Sequence, residues 1–250
     1  MAITFAKAQS VATATGTNPT ATLGSAPTEG NLLMTFCMER SGGDPADFDI
    51  SGAGWTKRFT QEIDISDLTY RQSMAVWTKV AVSSEPSGVQ ITGASGDVAV
   101  MFVEYEAGEN VTWTFESSAD NNGGKITDVT TISTGTTGSV SAGDLLVICV
   151  AGIKENYISS VQAWGFDVAG IDDCYDDNGS DIYGRILATA FRQASASGTY
   201  TDDTSQISGT LSNRSQMAGI LIFSAATAGS TSHLLTIMQN INQFNGGIML

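Results

Sequence analysis

The stretch GNLLMTFC at residues 30–37 returns as GDLLVICV at residues 143–150. A Gly, a polar residue, a Leu-Leu pair and an apolar run therefore stand at corresponding places in two parts of one chain. Self-similarity of this kind restricts the fold strongly, because both copies must satisfy the same local geometry. Three further landmarks follow each copy in the same order. A Trp lies beside Gly, in SGAGWTKR with Trp55 and in QAWGF with Trp164. A strand-like stretch comes next, SMAVWTKVAV at 73–82 and GRILATAF at 184–191, and a last apolar run closes each set, DVAVMFVEY at 97–105 and QMAGILIFS at 216–224.

These segments are short, rich in β-branched and aromatic residues, and bounded by Gly, Ser, Asn and Asp, as strands separated by turns are. In the 73–82 segment, Met74, Val76, Thr78, Val80 and Val82 fall on one face and Ala75, Trp77, Lys79 and Ala81 on the other. Val98 to Val103 is apolar on both faces, which predicts an interior strand covered on both sides. Leu145 to Val150 reads the same way. Composition agrees: only 11 Lys plus Arg and 4 Pro stand among 250 residues, too few basic residues for long amphipathic helices.

The expectation is an all-β chain, a jelly-roll-like antiparallel β-sandwich over residues 1–228. It would be built from two quasi-repeated halves, about 8–107 and 125–226. Each half would supply four or five strands, too few to bury both faces of its own sheet, so the halves would pack face to face. The Asn/Gly cluster SADNNGGK at 118–125 reads as the turn joining them. Aligning the glycines puts Cys37 over Val150 and Cys149 over Phe36, so these two cysteines should face opposite sides.

The motifs GNLLMTFC, GAGWTKR, VWTKVAVSSEPSG and GDVAVMFVEYEAG resemble a β-sandwich family common among phage virion proteins; the likeness covers about residues 8–226, more loosely in the second half. It implies a structural component of a phage particle. A capsid decoration, or cement, protein is the first expectation, bound to the major capsid protein and to copies of itself, as a homotrimer, on the capsid exterior. A tail or fibre module that binds host-surface glycan is the alternative.

A net charge of −15 argues against nucleic acid or an anionic membrane as partner, since phosphate rewards clustered Lys and Arg. The three cysteines form no CxxC pair, which fits synthesis in a reducing cytoplasm. The longest apolar run is about nine residues, below the roughly 20 that span a bilayer, and the N-terminus has no signal-peptide core.

No catalytic, metal or cofactor site is expected. His233, the single His, follows the last strand segment and lacks the rigid neighbours a nucleophilic site needs. Glu104 and Glu106 share a face at strand spacing, with Phe223 matching Glu104 in the second copy, but Glu104 is expected where its strand emerges into solvent. Asp172, Asp173, Asp176, Asp177 and Asp181 form an acidic cluster, read as a hairpin tip because its spacing departs from that of a calcium loop. Of the four tryptophans, Trp113 is the one expected to be exposed and so the candidate glycan contact. The tail, residues 229–250, carries Leu234, Leu235, Ile237, Met238, Ile241, Phe244, Ile248 and Leu250. The three-to-four spacing of the residues before Gly246 suggests a short C-terminal helix or arm for subunit contacts.

Overall fold

The computed structural model describes residues 8–41, 48–65, 70–94, 96–106, 111–126, 131–154, 167–174, 184–205 and 214–227. Within them the chain is strand, turn and loop, with no helix. Eight strands come first: β1 Ala8–Gly16, β2 Thr20–Thr22, β3 Leu32–Ser41, β4 Asp49–Ile50, β5 Thr56–Ile65, β6 Tyr70–Val80, β7 Gly88–Thr92 and β8 Asp97–Tyr105. They form a five-stranded antiparallel sheet in the order β1-β8-β3-β6-β5 and a three-stranded sheet in the order β2-β7-β4. Seven more follow: β9 Val111–Ile126, β10 Thr131–Thr136, β11 Leu145–Lys154, β12 Asp167–Cys174, β13 Gly184–Gln193, β14 Thr201–Ser205 and β15 Arg214–Thr227. These make a second five-stranded sheet, β12-β13-β11-β15-β9, and a two-stranded one, β10-β14.

Each Leu-Leu pair enters its strand from a tight turn. Asn31 N–H donates to the Thr28 carbonyl and Asp144 N–H to the Ser141 carbonyl, both at 3.1 Å. The third turn residue is Gly30 at φ +88° and Gly143 at φ +99°, the left-handed region that a type II turn demands of that position. The entering strand is then pinned alike in both places. Gly30 N–H bonds Ala81 O and Ala81 N–H bonds Asn31 O, while Gly143 N–H bonds Ala194 O and Ala194 N–H bonds Asp144 O, all within 2.7–2.9 Å.

With entry fixed, period two sends the first Leu of each pair inward and the second outward. Leu32 and Leu145 share the central cluster with Met34, Phe36, Met101, Val147, Cys149 and Phe223, between the two large sheets. Leu33 faces the three-stranded sheet, among Cys37, Ala75, Trp77, Phe102 and Ile91. Leu146 lies in a third cluster with Ile148, Ile220 and Val140. Cys37 and Cys149 thus face opposite sides, as their register requires, and both are buried. Burial pushes the Cys37 thiol far above its ordinary pKa, so it stays protonated.

Three apolar clusters correct the expectation that the first set of strands cannot cover its own sheet. The short strands β2, β4 and β7 bury Ala21, Ile50, Val89 and Ile91 over the outer face of the first large sheet. These strands are too short to stand out in the sequence as apolar runs. The Asn/Gly cluster at 118–125 is corrected too: it is part of β9, paired with β15, and the ladder shifts register where Gly123 and Gly124 are passed. An edge strand can absorb such a bulge without losing its neighbours. Val80 and Val82 share the parity of Met74 and Val76 yet are exposed, because β6 ends at Val80.

The two large sheets stack with β3 over β11, β8 over β13, β1 over β12 and β5 over β9. Close approach at one point depends on Gly219 in β15, where a Cβ would lie 2.3 Å from the Phe59 ring.

Candidate functional site

The polar residues singled out in the sequence meet a different fate from the one expected. Glu104 is 2% exposed rather than emerging into solvent. Its Oε1 accepts from Thr28 N–H and from Asn31 Nδ2, each at 2.7 Å. The loop ahead of β3 folds over the end of β8 and encloses the carboxylate, which satisfies a turn amide that would otherwise be buried unpaired. Glu106 lies just beyond β8 and is half-buried. The register also corrects the matching of the copies. Leu32 pairs with Tyr105 and Leu33 with Glu104, whereas Leu145 pairs with Phe223 and Leu146 with Ile222. Phe223 therefore corresponds to Tyr105, and Glu104 to Ile222.

In the second turn no distant carboxylate is needed. Asp144 accepts from Ser141 N–H with its own Oδ2 at 2.8 Å. Asn31 with Glu104 in one place, and Asp144 with Ile222 in the other, are two solutions to one structural requirement.

Trp113 is not an exposed platform. The residue is 9% exposed, its Nε1–H donates to Gly30 O at 3.0 Å, and its ring meets Phe223 edge-on at 6.4 Å between centroids. Lying on β9, at the edge of the second large sheet, it caps the space between the sheets. An indole brings both a large apolar face and one donor, and here both are used. Asp172 and Asp173 lie in β12, paired with Leu187 and Ile186, not in a hairpin tip. Asp176, Asp177 and Asp181 lie outside the described residues, as do Trp164, His233 and every tail residue from Leu234 to Leu250. Among the described residues no three His, Cys, Asp or Glu side chains converge as a metal site.

The concave feature that sequence reasoning missed opens beside Trp113. A cavity of about 230 Å³ is lined by Thr56, Arg58, Thr78 and Lys79 together with Trp113, Phe115 and other residues of the two large sheets. Arg58 is the extra residue of a β-bulge: Lys57 pairs with Trp77 and Phe59 with Val76, leaving Arg58 between them. Its Nε donates to Thr78 Oγ1 at 2.6 Å, and its guanidinium carbon lies 4.0 Å from the Phe115 ring centroid. Partial burial lowers its pKa from the ordinary value, but a guanidinium keeps its charge at any physiological pH. Nearby Lys79 is already neutralised, with Nζ 2.7 Å from Glu85 Oε1. Among the described residues Arg58 has no carboxylate partner. The adjacent cations in WTKRF, in a chain with 11 basic residues against 26 acidic ones, were the only available signal for this site.

Compared with protein-family models, with curated proteins and with solved structures, the chain matches none of them.

Proposed function

We propose that this chain is a non-enzymatic structural protein of a phage particle, a capsid decoration protein made of two jelly-roll-like halves whose large sheets face one another. The observation that carries the reading is the strand order. Numbered along the chain, an eight-stranded jelly roll pairs strands 1-8-3-6 in one sheet and 2-7-4-5 in the other. The first eight strands here run 1-8-3-6 and 2-7-4, with β5 on the edge beside β6 instead of beside β4. Counted from β9, with the place of strand 4 left empty, the remainder run 1-8-3-6 with β12 on the same edge, and 2-7. Jelly rolls recur in viral shell proteins. Since a fold alone does not specify a role, the sequence likeness to virion sandwiches supplies the second support.

Decoration would act by mass action, because a protein that binds only the assembled shell shifts the equilibrium toward assembly. A homotrimer on the major capsid protein would add avidity through its three linked contacts, and the terminal segments, residues 1–10 and 233–250, are proposed to make them. The test is to mix full-length protein, and a form lacking 233–250, with purified capsids of the same phage. Saturating occupancy and raised heat resistance of the shell are expected with the full chain only. Failure of the full chain to bind would overturn decoration, and equal binding by the truncated form would remove the tail from the mechanism. The glycan-binding alternative rested on an exposed Trp113, and the burial of that ring leaves it without a supporting residue.

A further inference from the structure

The mouth between the large sheets at Arg58 has the makings of a ligand site independent of any role in a particle. The bulge that carries Arg58 recurs in β12, where Val168 pairs with Ala190 and Gly170 with Thr189, leaving Ala169 as the extra residue. A bulge in the same register in both sheets reads as architecture, since bulges bend an edge strand and re-aim one side chain. The cation placed on it in only one sheet does not. The partner position differs as well. Counting back from the strand entry, Leu32 pairs with Val80 and Leu145 with Gln193, so Thr78 corresponds to Phe191. Phe191 is buried edge-on against Tyr105, 5.5 Å between centroids. Where that place holds an aromatic ring it is filled; where it holds Thr78 there is a cavity, and an arginine faces it.

We infer that this mouth binds the carboxylate of a small acid. Thr78 occupies Nε, so among the described residues the two terminal nitrogens of Arg58 remain to take both carboxylate oxygens in the parallel geometry that guanidinium favours. Phe115 lies against the guanidinium from one side, which limits the freedom lost on binding. Leu32, Trp113 and Phe223 lie behind the mouth and are nearly covered, so its open lining is mainly polar, with Thr56, Thr78 and Lys79 beside Arg58. At roughly 30 Å³ per water, the cavity volume of about 230 Å³ suits a single ring or one branched side chain. A free small acid and the C-terminal residue of a peptide share this chemistry.

The experiment titrates the full chain calorimetrically with phenylacetate and, for the peptide-end source, with N-acetyl-leucine, each beside its neutral amide. At least one acid should bind saturably and about tenfold or more tightly than its amide, a difference near 1.4 kcal/mol. The tighter acid identifies the source. Arg58→Met and Thr78→Phe should both abolish saturable binding while the melting temperature shows each variant folded. Equal binding of acid and amide, unchanged binding by folded Arg58→Met, or no saturable binding by either acid would overturn the proposal. Should Arg58→Met fail to fold, the acid-amide comparison on the unaltered chain still decides it.

Discussion

Tyr105 concentrates several demands on one side chain. Its ring belongs to the central cluster and its hydroxyl lies 3.0 Å from Thr189 Oγ1, a group that itself donates to Ile148 O at 2.8 Å. A phenol so enclosed cannot release its proton without leaving a buried anion, and its pKa is raised far above the ordinary value, chiefly by burial. Cys37 is held protonated for the same reason. Both groups have a folded pKa above the unfolded one, so their contribution to stability is fully present below the unfolded pKa and is lost as pH rises. The loss should begin near the ordinary thiol value of about 8.5 and steepen near the phenol value of about 10, each group adding a slope of at most about 1.4 kcal/mol per pH unit. Urea unfolding measured from pH 7 to 11 checks this. Tyr105→Phe should flatten the upper part of the decline and Cys37→Ala the lower. A stability curve level to pH 11 would contradict the burial of both groups.

The two strand-entry turns make a sharper comparison, since each joins a Gly of positive φ to a Leu-Leu strand but closes by different chemistry. Glu104→Ile alone strands Thr28 N–H and the Asn31 amide and should cost about 2–4 kcal/mol, in line with the loss of buried bonds to a charged acceptor. Asn31→Asp alone sets a second carboxylate against Glu104 and should also destabilise. Together they recreate the arrangement of Asp144 and Ile222, in which the turn residue accepts the amide and the strand residue is apolar. The double variant should therefore recover at least about 1–2 kcal/mol relative to the sum of the single effects, a coupling of the size neighbouring residues show. Simple additivity in a urea-unfolding cycle would deny the equivalence of the turns. The sequence displayed this equivalence in part. Gly30 and Gly143 and the Leu pairs were legible because they are adjacent and alternate with period two. The Glu104 bond to Thr28 spans 76 residues, and no local pattern reports so distant a partner. The same holds for Trp113, whose NVTWTF setting carries no mark of the Gly30 carbonyl that its indole meets. Arg58 and Thr78 came together only through cross-strand pairing and a bulge, which periodicity does not encode.

At the scale of the whole molecule, what was legible is the class of structure seen in the described residues, all-β with antiparallel sheets, because the apolar patterning alternates with period two between turn residues. What was not legible is how many layers the strands make, since β2, β4 and β7 are too short to stand out as apolar runs. The layered arrangement has a thermodynamic consequence. Leu32, Met34, Phe36, Met101 and Val103 from one sheet share a cluster with Leu145, Val147, Cys149, Leu221 and Phe223 from the other. Each outer cluster is by contrast confined to one part of the chain. Separating the sheets would expose both inner faces at about 25 cal/mol for every Å² of apolar surface, so neither part can leave the other cheaply. Heating should therefore give one calorimetric transition whose calorimetric and van't Hoff enthalpies agree. A fragment of residues 1–107 made alone should retain its outer cluster but present Leu32, Met34, Phe36 and Met101 to water. An exposed apolar face of that extent associates, so the fragment should sediment as a dimer or larger species and be captured as a one-to-one complex when residues 108–250 are co-expressed. Two separated heat-absorption peaks in the intact chain, or a fragment that stays monomeric at about 100 μM, would show that the central cluster does not bind the two sheets into one cooperative unit.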